Sequence, residues 1–90
     1  MKLSKSEEEL MNHLWKLEKG ILKDLINAYQ DPKPATTTIA TLLKRMQVKE
    51  FIDYTQVGRT REYFPLINKQ LHIQVYKTIH IHIVHHLIHI

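Results

Sequence analysis

The chain has no cysteine among its 90 residues, and it has only two glycines and three prolines. The absence of cysteine excludes a disulfide framework and any thiolate metal site, and it is compatible with a reducing cytosol. Residues 1–20 are charged and lack the apolar core of a signal peptide. The sequence contains no run of about 18 uncharged apolar residues, so it predicts no transmembrane helix. We therefore expect a cytoplasmic protein with no membrane partner.

The net charge of the chain is modest, but it is unevenly distributed along the sequence. The formal net charge is +4, of which −1 lies in residues 1–32, +4 in residues 33–61 and +1 in residues 62–90. A basic middle third suits a polyanion such as DNA, although an ordinary solvated surface is an equally simple explanation. The short chain allows one small core, and such chains often gain stability by dimerising.

The first third of the chain has the pattern of an amphipathic helix. A capping box can begin it in two ways, Ser6 with Glu9 or Ser4 with Glu7. Gly20 is the predicted C-terminal cap. Apolar residues follow at helical spacing, and we expect them in the core rather than in a ligand site. They include Met11, Leu14 and Trp15.

Two further helices are predicted before residue 50. The second spans the apolar pattern of residues 21–29 and is broken by the prolines of residues 31–34. The third begins after Pro34, and one of the threonines 36–38 could cap it. Its apolar residues recur at i, i+3, i+4 and i+7, which predicts a buried stripe along one side of the helix. The stripe consists of Ile39, Leu42, Leu43 and Met46.

The periodicity then changes to that of β-strands. Residues 51–57 and 61–66 read as two strands joined by a hairpin turn at Gly58. Tyr54, Tyr63 and Phe64 are interpreted as cross-strand packing partners rather than as platforms for nucleic-acid bases. Three helices followed by a hairpin predict a mainly α fold with a small β wing, the α+β winged helix-turn-helix.

The outer side of the third helix and the wing are the predicted DNA-binding surface. Hydroxyl groups and cations there could contact phosphates and base edges. The alternative is a capped helix with a polar solvent face and an exposed hairpin tip. Thr36 is interpreted as a cap only. The predicted DNA-binding residues are Thr37, Thr38, Thr41, Lys44, Arg45, Arg59, Thr60 and Arg61.

Residues 3–66 resemble the penicillinase-repressor family of bacterial regulators, of the BlaI, MecI and CopY type. The matching segments are residues 3–15, residues 34–46 and residues 57–66. The resemblance implies a homodimeric winged-helix repressor that binds a palindromic operator in double-stranded DNA, before antibiotic-resistance or related stress genes. Many members of that family are inactivated by proteolysis in a C-terminal dimerisation region.

The sequence departs from the family pattern at two places. Glu50 stands where the family usually has glycine, and a left-handed conformation there would cost about 1 kcal/mol without preventing folding. Residues 71–90 hold six of the seven histidines, six isoleucines and no acidic residue. This segment does not match the family's cleavage region, so the resemblance does not extend to inducible proteolysis.

We divide the chain into a winged helix-turn-helix domain, residues 1–67, and a tail, residues 68–90, predicted to form a dimerisation helix. Histidines on one face of that helix have i,i+4 spacing that can hold a metal ion. A strand is the other interpretation, because isoleucine and histidine alternate over residues 79–83. The alternation fails at the histidine pair 85–86, which favours the helix. The alternatives are solvent-facing histidines or a partly disordered end. The candidate metal ligands are His82, His85, His86 and His89.

The leading hypothesis is therefore a sequence-specific transcriptional repressor. No nucleophile with a base, paired carboxylates or phosphate loop is recognisable, so we expect neither catalysis nor a cofactor. Zinc or nickel at the tail would be adventitious. The competing hypotheses are a metal-responsive or metal-binding regulator that acts through the histidine-rich tail, and a protein-interaction module built on the winged helix. The clustered histidines could also respond to pH at about pH 6, because they repel one another once protonated.

Overall fold

The computed structural model describes residues 3–67, which form three helices followed by a two-stranded antiparallel sheet. This order is the predicted one, and it confirms the winged-helix α+β fold. The tail of residues 68–90 lies outside the described residues. The elements are α1 (Lys5–Leu17), α2 (Leu22–Asn27), α3 (Thr36–Val48), β1 (Ile52–Val57) and β2 (Thr60–Pro65).

Helix α1 begins with the capping box formed by Ser4 and Glu7, the second of the two alternatives. The Ser4 amide donates to Glu7 Oε1 at 2.8 Å, and the Glu7 amide donates to Ser4 Oγ at 3.2 Å. Lys49, at the end of α3, also donates to Glu7 Oε1. The same carboxylate therefore caps α1 and joins it to α3, which selects this box over the one at Ser6.

The prediction that Gly20 caps α1 is wrong. The helix ends at Leu17, and Glu18 takes the positive φ of 71° at its C-terminus. Gly20 instead pairs with the backbone of Tyr63, donating at 2.9 Å and accepting at 2.8 Å. An added Cβ would lie 3.3 Å from the Cβ of Asp24. Glycine here permits close approach between the α1–α2 connection and the first turn of α2.

Helix α3 begins one residue earlier than a threonine cap allows. Its N-cap is Ala35, which has no side-chain capping hydrogen bond. The amides of Thr38 and Ile39 donate to the Ala35 carbonyl at 3.1 and 3.2 Å. The prediction that a threonine of residues 36–38 caps α3 is therefore wrong, because the first helical turn already contains all three.

The core lies where the apolar faces of the three helices meet the base of the wing. The predicted stripe of α3 is buried, with Ile39 at 1% and Met46 at 0% exposed. Met11 and Leu14 of α1 are fully buried as predicted, and Trp15 packs against them at the edge of the core. The Trp15 indole donates to the carbonyl of Ile67 at 2.6 Å, which ties α1 to the chain leaving the wing.

The wing pairs β1 with β2 from Ile52 opposite Pro65 to Val57 opposite Thr60. Gly58 supplies the positive φ of 62° that the turn requires. Tyr54 lies opposite Tyr63 with ring centroids 5.8 Å apart, as predicted for packing partners. Phe64 lies on the other face of the hairpin, because its position alternates with that of Tyr63, and its cross-strand neighbour is Asp53.

Candidate nucleic-acid interface

The outward face of α3 is polar, cationic and free of acidic residues. Residues spaced by four, three and four positions share the side directly opposite the buried stripe. Thr38 and Arg45 flank that side, and they are also exposed. We call the central group the α3 reading face. It consists of Thr37, Thr41, Lys44 and Val48, all exposed.

The hydroxyl of Thr41 is already used within the helix. Its Oγ1 donates to the carbonyl oxygen of Thr37 at 2.8 Å. A hydroxyl that donates its one hydrogen to the backbone can still accept a hydrogen bond, and its methyl group remains available for contact. The arrangement therefore suits an amino donor or a thymine methyl on a base edge more than a base acceptor.

Val48 is the reading-face residue that the sequence analysis did not name. It is 73% exposed, the highest value among the large apolar side chains that the structure describes as exposed. An apolar side chain at the end of this face could contact thymine methyl groups or sugars. The spacing of residues 37, 41, 44 and 48 was the signal that could have identified it.

The wing brings two arginines and a threonine to the far end of the hairpin. Arg59 lies in the turn and is exposed, and Thr60 and Arg61 begin β2. The guanidinium carbon of Arg61 lies 4.4 Å from the centroid of the Tyr54 ring. The predicted wing residues are therefore together at one end of the hairpin, and one of them is held by an aromatic ring.

Two cations of the basic middle third make contacts with other groups of the domain. The Lys33 ammonium donates to the carbonyls of Asn27 and Tyr29, at the C-terminal end of α2. The Lys49 ammonium lies 2.7 Å from Glu7 Oε1, and the Glu7 side chain is only 2% exposed. The Lys33 side chain lies at the surface and that of Lys49 is partly buried, and both have partners within the domain. The local excess of positive charge therefore includes two residues that stabilise the fold.

The other four cations of that region are the ones on the candidate interface. Among residues 3–67, the salt bridges are made by Lys19, Lys33 and Lys49. Of the two carboxylates in the wing strands, Glu62 lies 4.0 Å from Lys19 and Asp53 accepts a hydrogen bond from the Tyr54 amide. Positive charge is thus concentrated on the outer surface of α3 and the wing. The four residues are Lys44, Arg45, Arg59 and Arg61.

The Glu7 carboxylate keeps its charge although it is buried. Desolvation by burial raises its pKa, but the hydrogen bonds from Lys49 and Ser4 together outweigh that effect and leave the pKa below its ordinary value. Glu7 Oε2 has no hydrogen-bond partner within the described part of the chain. The ion pair fixes the C-terminal end of α3 against α1, which sets the direction in which the reading face points.

No described group of three or more histidine or acidic side chains in residues 3–67 could hold a metal ion. The candidate ligands His82, His85, His86 and His89 lie outside these residues, so the metal hypothesis stays a prediction. Within the same range, no helix has the length and apolar character needed to cross a bilayer.

Comparisons with known proteins agree with this geometry. The family model described as penicillinase repressor matches residues 3–81. A solved structure of the CopR repressor is similar, with a TM-score of 0.61 and 25% sequence identity, over 76% of this chain and 100% of that one. No curated protein sequence matches the chain.

Proposed function

This chain belongs to the penicillinase repressor family, and from that premise we propose that it represses transcription as a homodimer that occupies a palindromic DNA operator. Occupation alone would block transcription, so no chemical step is required. The regulated genes would be antibiotic-resistance or related stress genes, as the family resemblance implies.

The observation that carries this proposal is the α3 reading face. It combines a hydrogen-bond acceptor and methyl groups with a cation, and α3 has no acidic residue. A helix of this kind fits the major groove, where base edges present donors, acceptors and thymine methyls. Thr37, Thr41 and Val48 would read bases, and Lys44 would contact a phosphate or a guanine.

The wing and the flanks of α3 supply the part of the affinity that is independent of sequence. Arg59, Thr60 and Arg61 would reach the phosphate backbone beside the groove, and Thr38 and Arg45 would contact phosphates at the edge of α3. Each neutralised phosphate releases counterions, so the affinity would fall steeply as the salt concentration rises. These contacts would fix the orientation of the domain while α3 selects the sequence.

Two-fold symmetry would double the recognition. A single winged domain reads only one half-site, and a dimer requires two half-sites whose centres lie about one helical turn apart, or a multiple of it. The predicted dimerisation segment is the tail of residues 68–90. The similarity to a repressor structure supports repression as the function, and the palindrome and the dimer are our own proposals.

The test is binding of the full chain to a library of palindromic duplexes, followed by fluorescence anisotropy across a salt series. We expect one sequence to be selected, Thr41→Ala to relax that preference, and Arg59→Ala to weaken binding to all sequences alike. Lys16→Ala removes an exposed cation from α1 and serves as the control, with no change expected.

Absence of binding to any duplex at low salt would contradict the proposal. Binding without sequence preference would support the electrostatic contacts but reject the proposal that the α3 reading face recognises bases. Sedimentation of the protein with and without a selected duplex gives the stoichiometry, and one chain per palindrome would reject the dimer.

A further inference from the structure

The Tyr54 ring and the Arg61 guanidinium lie together on one face of the wing. In the register of the hairpin, Tyr54 is opposite Tyr63 and Gln56 is opposite Arg61. Alternation along each strand therefore places Tyr54 and Arg61 diagonally on the same face. The guanidinium carbon is 4.4 Å from the ring centroid, within the range of a cation–π contact.

The ring that holds Arg61 is itself fixed to the body of the domain. Tyr54 packs against Tyr63 at an interplanar angle of 56°. Tyr63 packs against the core, and its backbone exchanges two hydrogen bonds with Gly20. A continuous series of contacts thus runs from the α1–α2 connection through the two tyrosines to the guanidinium.

This contact leaves the guanidinium able to bind an anion. The guanidinium has five N–H donors, and contact with a single ring leaves donors available for a phosphate oxygen. None of the ion pairs found among residues 3–67 involves Arg61. An exposed arginine otherwise loses much side-chain freedom when it binds, and orienting it beforehand reduces that loss.

We propose that Tyr54 is a positioning residue for DNA binding, whose ring orients the Arg61 guanidinium toward a phosphate of the DNA backbone. The inference rests on the proposed function, because it requires that the wing meets DNA. Arg59 differs in this respect, since it lies in the turn itself, and no aromatic contact to it is found in the described part of the chain.

The experiment is a double-mutant cycle on the affinity of the full chain for its selected duplex. Tyr54→Leu should weaken binding about two- to fivefold in the wild-type background. In the Arg61→Ala background the same change should have no further effect, since the group that Tyr54 orients is gone. Tyr54→Phe keeps the aromatic face and should retain wild-type affinity.

Thr55→Leu is the matched control, because it places leucine on the opposite face of the same strand. It should not change the affinity. Thermal unfolding of each variant shows whether the winged helix-turn-helix domain remains folded. If Tyr54→Leu does not fold, Tyr54→Phe keeps the test valid.

Equal losses from Tyr54→Leu in both backgrounds would overturn the inference, because Tyr54 would then act independently of Arg61. A loss in Tyr54→Phe equal to that in Arg61→Ala would also overturn it. Both results leave the proposed function intact if the wild type binds its duplex. Failure of the wild type to bind any duplex would reject the proposed function and the inference together.

Discussion

Glu50 occupies a backbone conformation that favours glycine. Its φ is 65°, in the left-handed region between α3 and β1. The structure confirms the expectation that a glycine-like conformation is needed at this position, and Glu50 adopts it although its Cβ makes that conformation unfavourable. The cost is local, since Glu50 is exposed and its side chain needs no room in the core.

Replacing Glu50 by glycine should therefore stabilise the domain. We expect Glu50→Gly to raise the free energy of unfolding by about 1 kcal/mol, through relief of the left-handed conformation. Urea denaturation followed by circular dichroism measures the change. Glu50→Gln removes the charge but keeps the Cβ, so it should leave stability nearly unaltered. Equal stabilisation by both variants would assign the effect to charge.

The Glu7–Lys49 ion pair should make stability depend on pH. The pKa of Glu7 is lowered from its ordinary value of 4.5 in the folded domain. A carboxyl group with a lowered folded pKa contributes stability that is present above its unfolded pKa. That contribution is lost as the pH falls through the lower, folded value.

We expect the wild type to lose this stability between about pH 5 and the more acidic folded pKa, and Glu7→Gln to lose less over the same range. Denaturation measured at a series of pH values gives both curves. Glu8→Gln is the matched control, since Glu8 is exposed in the same helical turn. Parallel curves for the wild type and Glu7→Gln would show that Glu7 is not the responsible group.

At the scale of the elements, α3 is the helix on which the proposed reading depends, and its amino end has no side-chain cap. Ala35 holds the N-cap position with extended backbone, φ −65° and ψ 144°. This conformation is one that a serine cap adopts, so the local geometry is ready for a hydroxyl acceptor. The stability of α3 comes instead from its buried stripe and from the ion pair at its other end.

A serine at the N-cap should stabilise α3. We expect Ala35→Ser to raise the free energy of unfolding by about 1 kcal/mol, because its hydroxyl can accept from an amide of the first turn. Ala40→Ser is the control on the same helix, where serine should be slightly destabilising. A gain at both positions, or at neither, would contradict capping as the cause. Chemical denaturation distinguishes these outcomes.

Across the whole molecule, the distribution of cations separates those that stabilise the fold from those that face outward. Lys33 and Lys49 are bonded within the domain, to backbone carbonyls and to a buried carboxylate. Within the basic middle third, the remaining outward cations belong to α3 and the wing. The net charge alone does not distinguish the two groups, although they should behave differently when salt is added.

The salt dependence of DNA binding should reveal this division. We expect Lys44→Ala to reduce the slope of log K against log salt by about 1.8 for the homodimer, because each of the two protomers loses one phosphate contact worth about 0.9. Lys33→Ala should leave the slope unchanged, because its ammonium binds the carbonyls of Asn27 and Tyr29. A reduced slope in Lys33→Ala would show that Lys33 also reaches the DNA.

The sequence by itself determined the order of the elements and the outward side of α3. Both depend on local periodicity, since the buried residues 39, 42, 43 and 46 fix which side chains of the same helix point away. The hairpin was equally local, because Gly58 and the alternating strands specify it within a few residues. The positions of the candidate DNA-binding residues follow from these two patterns.

Only the tertiary structure decided what depends on distant partners. Glu7 and Lys49 are separated by 42 residues, and their contact selects the cap of α1 and removes one cation from the basic surface. Gly20 pairs with Tyr63 across the fold, and the ring of Tyr54 holds Arg61 across the wing. A one-dimensional pattern contains no distances between such residues, because packing of the helices against the wing brings them together.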